Sequence, residues 1–268
     1  MKVVRSLTDI AELPSTSPRV FVPTMGALHD GHGELVRVAR VEAGKTGIVI
    51  VSVFVNPLQF GANEDFNKYP RTEESDITLA AKFGADVIWF PEATELLSAE
   101  LVQLISPDFG NQLEGRLRPG HFDGVLTIVN RFFELLEPNK AIFGVKDLQQ
   151  LILIRDMAKQ RHPSIEIIAV ETVRAANGLA LSSRNKYLSA AELAKADAIN
   201  QALNIAALQS DPVSSFKTNL AGAGFAMEAI DYAEVIDMPN SCLDLGKQRL
   251  VVAVRIGSTR LLDNIALN

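Results

Sequence analysis

The sequence predicts an α/β fold, a parallel sheet wound with helices on both faces, followed by a smaller α+β domain. Short β-branched runs alternate with segments of helical period through the first two-thirds of the chain, the signature of βαβ units. The run GIVIVSVFV at 47–55 is apolar on both faces, which suits the centre of a sheet covered by helices. Beyond residue 170 the alternation stops, and a long Ala- and Leu-rich stretch and two late strands replace it.

Taken in order, RVFVP at 19–23 reads as the first strand. After a loop, Glu34, Leu35, Val36, Val38, Ala39 and Glu42 fall at helical spacing, and Gly44 ends that helix ahead of the strand 47–55. Thr72 is expected to cap a helix over 73–83 with its hydroxyl, while Glu73, Glu74 and Asp76 complement the helix dipole. Strand 86–90, helix 125–136, strand 140–143, helix 147–160 and strand 166–170 continue the alternation, with Pro138 and Pro163 as breaks. At least five parallel strands result. In the last third Ser189 precedes a helical stretch, Asp211-Pro212 interrupts it, a second helix follows, and strands are expected at 232–236 and 249–255. The expected domains are 1–170 and 171–268.

Composition excludes several functions. With 268 residues, 47% of them hydrophobic, the chain can bury a large core, so a disordered tail or a stapled mini-protein is ruled out. There are 26 basic against 32 acidic residues, a net charge of −6, so nothing draws the surface as a whole to nucleic acid or anionic lipid. The one cysteine, Cys242, has no partner for an internal disulfide and reads as a small buried residue. A reducing cytoplasm is the expected compartment. No apolar run reaches the roughly 20 residues of a membrane span, and the first residues do not have the pattern of a signal peptide.

Four clusters carry candidate chemistry. PTMGALHDGH at 23–32 lies between the first strand and first helix, where an open parallel sheet has its ligand crevice and a helix start offers amides to phosphate. His29 and His32, three apart, could share one face and donate to phosphate oxygens; a two-histidine metal site and ordinary polar loop residues are the alternatives. With four histidines in all, and neither HExxH nor CxxC, metal ligands are scarce. Asn56 and Gln59 leave the most apolar strand with neutral donors and acceptors suited to a hydroxy acid, or serve only the turn at Asn56-Pro57. In FGVKDLQQ at 143–150, Lys146 stands where a helix begins and opposes its dipole, which suggests an anionic partner or a solvated side chain. Ser182, Ser183 and Arg184 in GLALSSRN could clamp phosphate oxygens, although such a loop alone is a weak signal. Neither GxGxxG nor the GxxxxGK[ST] P-loop is present at the first turn.

Together these segments resemble the pantothenate synthetase (pantoate–β-alanine ligase) family of the HIGH-type nucleotidyl transferase superfamily. PTMGALHDGH at 23–32, VFVNPLQFG at 53–61, YPRT at 69–72, RPGHFDGV at 118–125, FGVKDLQQLILIRDM at 143–157 and GLALSSRNKYL at 178–188 match in order, and IGSTRLLDNI at 256–265 resembles the family's ending. The resemblance implies a Rossmann-like first domain that binds ATP and pantoate, a smaller lid domain, a cytoplasmic homodimer, and Mg-ATP as co-substrate. It implies ligation of D-pantoate and β-alanine in pantothenate and coenzyme A biosynthesis, through a pantoyl adenylate with release of AMP and pyrophosphate.

By position it makes His32 the proton donor, with His29 and Lys146 beside it in catalysis. Met25, Gly26, His29, Gly31, His32, Gly144, Lys146, Asp147, Val173, Leu181, Ser182, Ser183 and Arg184 would bind ATP. Gln59 and Gln150 would hold pantoate with Asn56 close by, and Mg²⁺ would be carried by the phosphates, with no side-chain ligand. Val145 stands where the family usually has Glu, removing one polar contact, and Gly33 where it often has Leu, weakening the first helical turn by about 1 kcal/mol. Arg118 and His121 either line the site or shape the approach to the next helix.

Two other functional classes fit the sequence less well. A transferase of AMP to a phosphate-bearing acceptor would want Arg or Lys where Asn56 and Gln59 stand. A non-catalytic nucleotide- or RNA-binding relative is opposed by the acidic balance and by the retained His, Lys and Ser-Arg groups.

Overall fold

Three residues open the structure as β1 (Lys2–Val4), which pairs in parallel with a strand far along the chain and is too short to stand out in sequence. After α1 (Leu7–Ala11), capped by Ser6, come β2 (Arg19–Thr24), α2 (Asp30–Ala43), β3 (Ile48–Val53), α3 (Glu73–Lys82), β4 (Val87–Trp89) and α4 (Ala93–Leu96). Then follow α5 (Leu113–Leu117), α6 (His121–Leu136), β5 (Lys140–Gly144), α7 (Leu148–Arg161) and β6 (Glu166–Val170). This is a computed structural model, and it describes residues 1–268 except 15, 62, 63, 65, 100, 240–244 and 268; Cys242 lies outside the described residues.

The six strands form one parallel sheet in the order β1-β4-β3-β2-β5-β6. Val49, Ile50 and Val51 of β3 are all fully buried, as an apolar run with two covered faces requires. One face packs Val20, Val22, Val49, Val51 and Ile142 against Val36, Ala39 and Ala43 of α2 and Ala80 of α3. Phe132 of α6 meets Phe21, Phe54 and Trp89 edge to face at ring-centroid distances of 5.4 to 6.4 Å.

The chain divides into two compact units, 1–145 with 149–170, and 146–148 with 171–268. The second contains α8 (Ala190–Ala206), α9 (Pro212–Gly222) and a three-stranded antiparallel sheet of β7 (Ile230–Asp237), β8 (Gln248–Ile256) and β9 (Thr259–Leu267). Its core joins Ala196, Ile199, Leu203, Phe216 and Leu220 to Leu250, Val252 and Val254. Asp211-Pro212 is the start of α9, where the Asp211 carboxylate accepts the Ser214 amide at 3.0 Å and proline takes the first turn.

The structure corrects several local expectations. Thr72 does precede α3, but its hydroxyl caps no amide; it donates to Asp76 Oδ1 at 3.1 Å. Asp76 lies in the first turn of α3 as expected, but it is buried, 1% exposed. Helix α6 begins four residues early at His121, and α7 follows a 3₁₀ turn, Val145–Asp147, so Lys146 stands on that turn. The segment 259–267, recognised only as a family ending, is β9, paired along its length with β8.

Candidate active site

In a parallel sheet all carboxyl ends share one edge. The chain leaves β2 toward β3 on one side and later returns to β5 on the other, so the strand order reverses beside β2. Open α/β sheets bind ligands at such a reversal, outside the strand ends. Within this unit the segments that follow β2 and β3 carry Met25, Gly26, His29, Gly31, His32, Asn56 and Gln59 at this edge.

The turn after β2 is shaped from below. Thr24 Oγ1 donates to the Ser52 carbonyl at 2.7 Å and accepts the Gly26 amide at 3.2 Å. Gly26 and Ala27 follow in left-handed conformation, φ 84° and 50°, unusual for alanine and costing about 1 kcal/mol. Asp76 compensates: its carboxylate accepts the Ala27 amide at 3.1 Å and the Leu28 amide at 2.7 Å. The sequence reading missed Asp76 as a site-building residue. The signal was its place four residues before Ala80, on the buried stripe of α3.

His29 and His32 open α2 as a reciprocal capping pair. His29 Nδ1 accepts the Gly31 amide at 3.1 Å, and His32 Nδ1 accepts the His29 amide at 3.3 Å. The two rings lie 4.1 Å apart. A ring nitrogen that accepts an N–H holds no proton, so each neutral imidazole carries its proton on Nε2. Two imidazole N–H donors thus accompany the positive end of a 14-residue helix.

Beyond β3, Asn56 caps the 3₁₀ turn Pro57–Gln59, its Oδ1 accepting the Leu58 amide at 3.1 Å. Its Nδ2 donates to Gln59 Oε1 at 3.1 Å and to the Gly124 carbonyl at 3.0 Å. Asn56 is 1% exposed, and its amide holds Gln59 and the turn. Gln59 Nε2 in turn lies 3.0 Å from Met25 Sδ, which draws one predicted nucleotide residue and one predicted pantoate residue together.

Gly144 ends β5 and Gln150 stands half-buried in the first turns of α7. Its neighbour Gln149 is structural, accepting the Glu114 amide at 3.1 Å and donating to the Phe109 and Gln112 carbonyls at 2.7 and 2.9 Å. Val145 is fully buried, so the valine fills core where a polar contact to nucleotide was expected to be lost. Gly33 is explained by packing as well, because a Cβ there would lie 2.4 Å from the Phe83 ring.

In the second unit Lys146 Nζ is 3.4 Å from both Asp147 carboxylate oxygens, so the anion beside this lysine includes its own neighbour. The Lys146 carbonyl accepts from Asn264 Nδ2 at 3.3 Å. Val173 accepts the Leu181 amide at 2.9 Å, Ser182 Oγ accepts the Arg184 amide at 3.3 Å, and Ser183 is buried. Arg174 pins this segment, forking onto Asp263 at 2.6 and 2.8 Å. Among the described residues no three His, Cys, Asp or Glu side chains gather as a metal site, and no helix is long and apolar enough to cross a membrane.

This combination of sheet reversal, histidine-capped helix and ordered motifs has direct counterparts. The sequence profile described as pantoate-beta-alanine ligase matches residues 2–266. The chain belongs to that family. The pantothenate synthetase of Acidothermus cellulolyticus is 41% identical over 99% of this chain and 91% of its own, and that of Nocardioides sp. 45% identical over 92% and 78%. The crystal structure of pantothenate synthetase from Thermus thermophilus superposes with a TM-score of 0.87 at 38% identity, covering 99% of each chain. The Francisella tularensis pantoate-beta-alanine ligase, solved with β-γ ATP and β-alanine, superposes with a TM-score of 0.83 at 32% identity over 99% of this chain and 97% of that one. As a member of this ligase family the chain is an enzyme that joins pantoate to β-alanine with ATP.

Proposed function

We propose that the ligation runs through a pantoyl adenylate. A pantoate carboxylate oxygen attacks the α-phosphorus of ATP and pyrophosphate leaves. The β-alanine amine then attacks the acyl carbon, the amide forms and AMP departs with the former carboxylate oxygen. No side-chain nucleophile is needed, and catalysis rests on positioning and charge neutralisation.

The observation that carries this reading is the histidine capping pair, which leaves the Nε2 protons of His29 and His32 at the start of α2, a donor set for phosphate oxygens. Met25, Gly26 and Gly31 belong to the same turn. His32 is the proton donor, and Lys146, with Gly144 and Asp147 beside it, neutralises phosphate charge. Val173, Leu181, Ser182, Ser183 and Arg184 bind nucleotide. Gln59 and Gln150 hold pantoate through neutral amides, so its carboxylate stays nucleophilic.

Imidazole and backbone N–H, ammonium and guanidinium offer protons to phosphate oxygens, with Asp147 the one carboxylate among them; Mg²⁺ would be held by the ATP phosphates and would neutralise part of their charge. The assignment extends to residues 1–170 as the ATP and pantoate domain and 171–268 as the lid, in a cytoplasmic homodimer.

The test is ATP–pyrophosphate exchange in Mg²⁺ without β-alanine. Exchange is expected only when D-pantoate is present, and Lys146→Ala should lower it by about 10²-fold, as for one lost preorganised contact. Absence of exchange with ATP binding intact would overturn the adenylate route.

A further inference from the structure

The segment RPGHFDGV forms a brace on the turn that carries Gln59, within the parallel-sheet unit. Arg118 forks onto Glu64, its Nε reaching Oε1 at 2.6 Å and its Nη2 reaching Oε2 at 2.7 Å. Its Nη1 lies 3.0 Å from His121 Nε2. A guanidinium has only protons to offer, so Nε2 accepts and His121 carries its own proton on Nδ1. Nδ1 lies 2.8 Å from the Gln59 carbonyl and therefore donates to it, and Arg118 Nη2 donates to the same oxygen at 3.2 Å. His121 is buried and packs on Phe122, ring centroids 4.8 Å apart. One turn later Gly124 lets α6 close on the same backbone, since a Cβ there would stand 2.2 Å from the Leu58 carbonyl. Gln59 is thus held at both ends, its side chain by Asn56 and Met25 and its carbonyl by His121 and Arg118.

We propose that His121 is a positioning residue for substrate binding by Gln59, with the Glu64–Arg118 pair selecting the imidazole tautomer that donates to the Gln59 carbonyl. This rests on Gln59 as the pantoate-binding amide. Burial pushes the Glu64 carboxyl upward, but the Arg118 hydrogen bonds and charge hold it below the usual range, so it stays ionised to anchor Arg118 at neutral pH. Fixing the carbonyl orients the whole 57–59 turn and with it the Gln59 side chain, which makes the effect specific to pantoate.

The experiment measures kcat and KM for pantoate and for ATP, with melting temperature, in full-length Gln59→Ala, His121→Asn, His121→Gln and Glu64→Gln. The Asn amide nitrogen falls where Nδ1 stands, whereas Gln places its amide near Nε2. His121→Asn should keep pantoate KM within about twofold of the parent, while His121→Gln raises it about tenfold or more with ATP KM unchanged. Glu64→Gln, at a more exposed position, should raise pantoate KM by about threefold through a looser Arg118, which keeps the question answerable if a His121 variant folds poorly.

Equal losses in His121→Asn and His121→Gln, or equal rises in both KM values, would overturn the brace. So would a Glu64→Gln variant identical to the parent. If Gln59→Ala raises pantoate KM while His121→Gln does not, only the brace fails. If Gln59→Ala is silent, the assignment of Gln59 fails and the brace with it.

Discussion

The turn after β2 and the segment 173–185 present the polar residues assigned to nucleotide, yet they are stabilised by different chemistry. The first is held by backbone amides donated to Asp76 and to two neutral imidazoles, all within about fifty residues of sequence. The second has local backbone bonds, Leu181 to Val173 and Ala175 to Leu179, and is tied to β9 by an ion pair from Arg174 to Asp263, with Asp263 also accepting the Asn264 amide. Amide braces define backbone geometry to a fraction of an ångström and change little with salt. An ion pair is stiff only while both charges are present, because the survivor of a broken buried pair keeps its desolvation cost.

That contrast predicts the largest effect at Asp263. The Asp263 side chain is 4% exposed and that of Arg174 25%, so Asp263→Ala should cost about 3 kcal/mol in denaturant unfolding. A loss below about 1 kcal/mol would put the pair with ordinary surface bridges and erase the distinction.

A smaller effect sharpens the other side. Gly33→Ala should gain about 1 kcal/mol of helix propensity. The added Cβ meets the Phe83 ring, however, and overpacking by a methyl costs typically 1–3 kcal/mol, so the net change is expected to be a loss of about 1 kcal/mol. Adding Phe83→Leu should recover part of it. Stabilisation by Gly33→Ala alone would show that the α2–α3 contact yields easily and that the turn is less firmly built than its hydrogen bonds suggest.

The smallest effect lies in pH. Glu64 has its folded pKa lowered from 4.5, so its contribution is complete above that value and is lost as pH falls through the folded pKa. Melting temperature should therefore fall less steeply in Glu64→Gln than in the parent between about pH 5 and pH 3. Parallel slopes would mean that Glu64 is not held by Arg118 in solution.

Much of the architecture was legible because it is local. The βαβ alternation, the apolar β3 and the helix after residue 189 follow from period and composition, and the chemistry of residues 23–32 follows from a strand meeting a helix. β1 and β9 were not legible: one is three residues long and the other mixes Arg260, Asp263 and Asn264 into its pattern, so each is recognised by its partner strand. Thr72 illustrates the same limit, since a hydroxyl ahead of an acidic first turn is a capping signal until a buried carboxylate competes for its proton. Asn56 reads from sequence either as a substrate amide or as a turn residue, and only the fold supplies the Gly124 carbonyl and the Gln59 amide to which it donates.

The sequence by itself determined the fold class, the family and the residue types available for chemistry, because strand and helix period and motif order are properties of neighbours along the chain. Tertiary structure alone decided which of those residues face inward as braces: Asp76 under Ala27, His121 on the Gln59 carbonyl, Asp263 beneath Arg174. The reason is physical. A polar side chain has the same hydrogen-bonding capacity whether it meets substrate or backbone, and its partner is chosen by contacts between residues up to 120 positions apart.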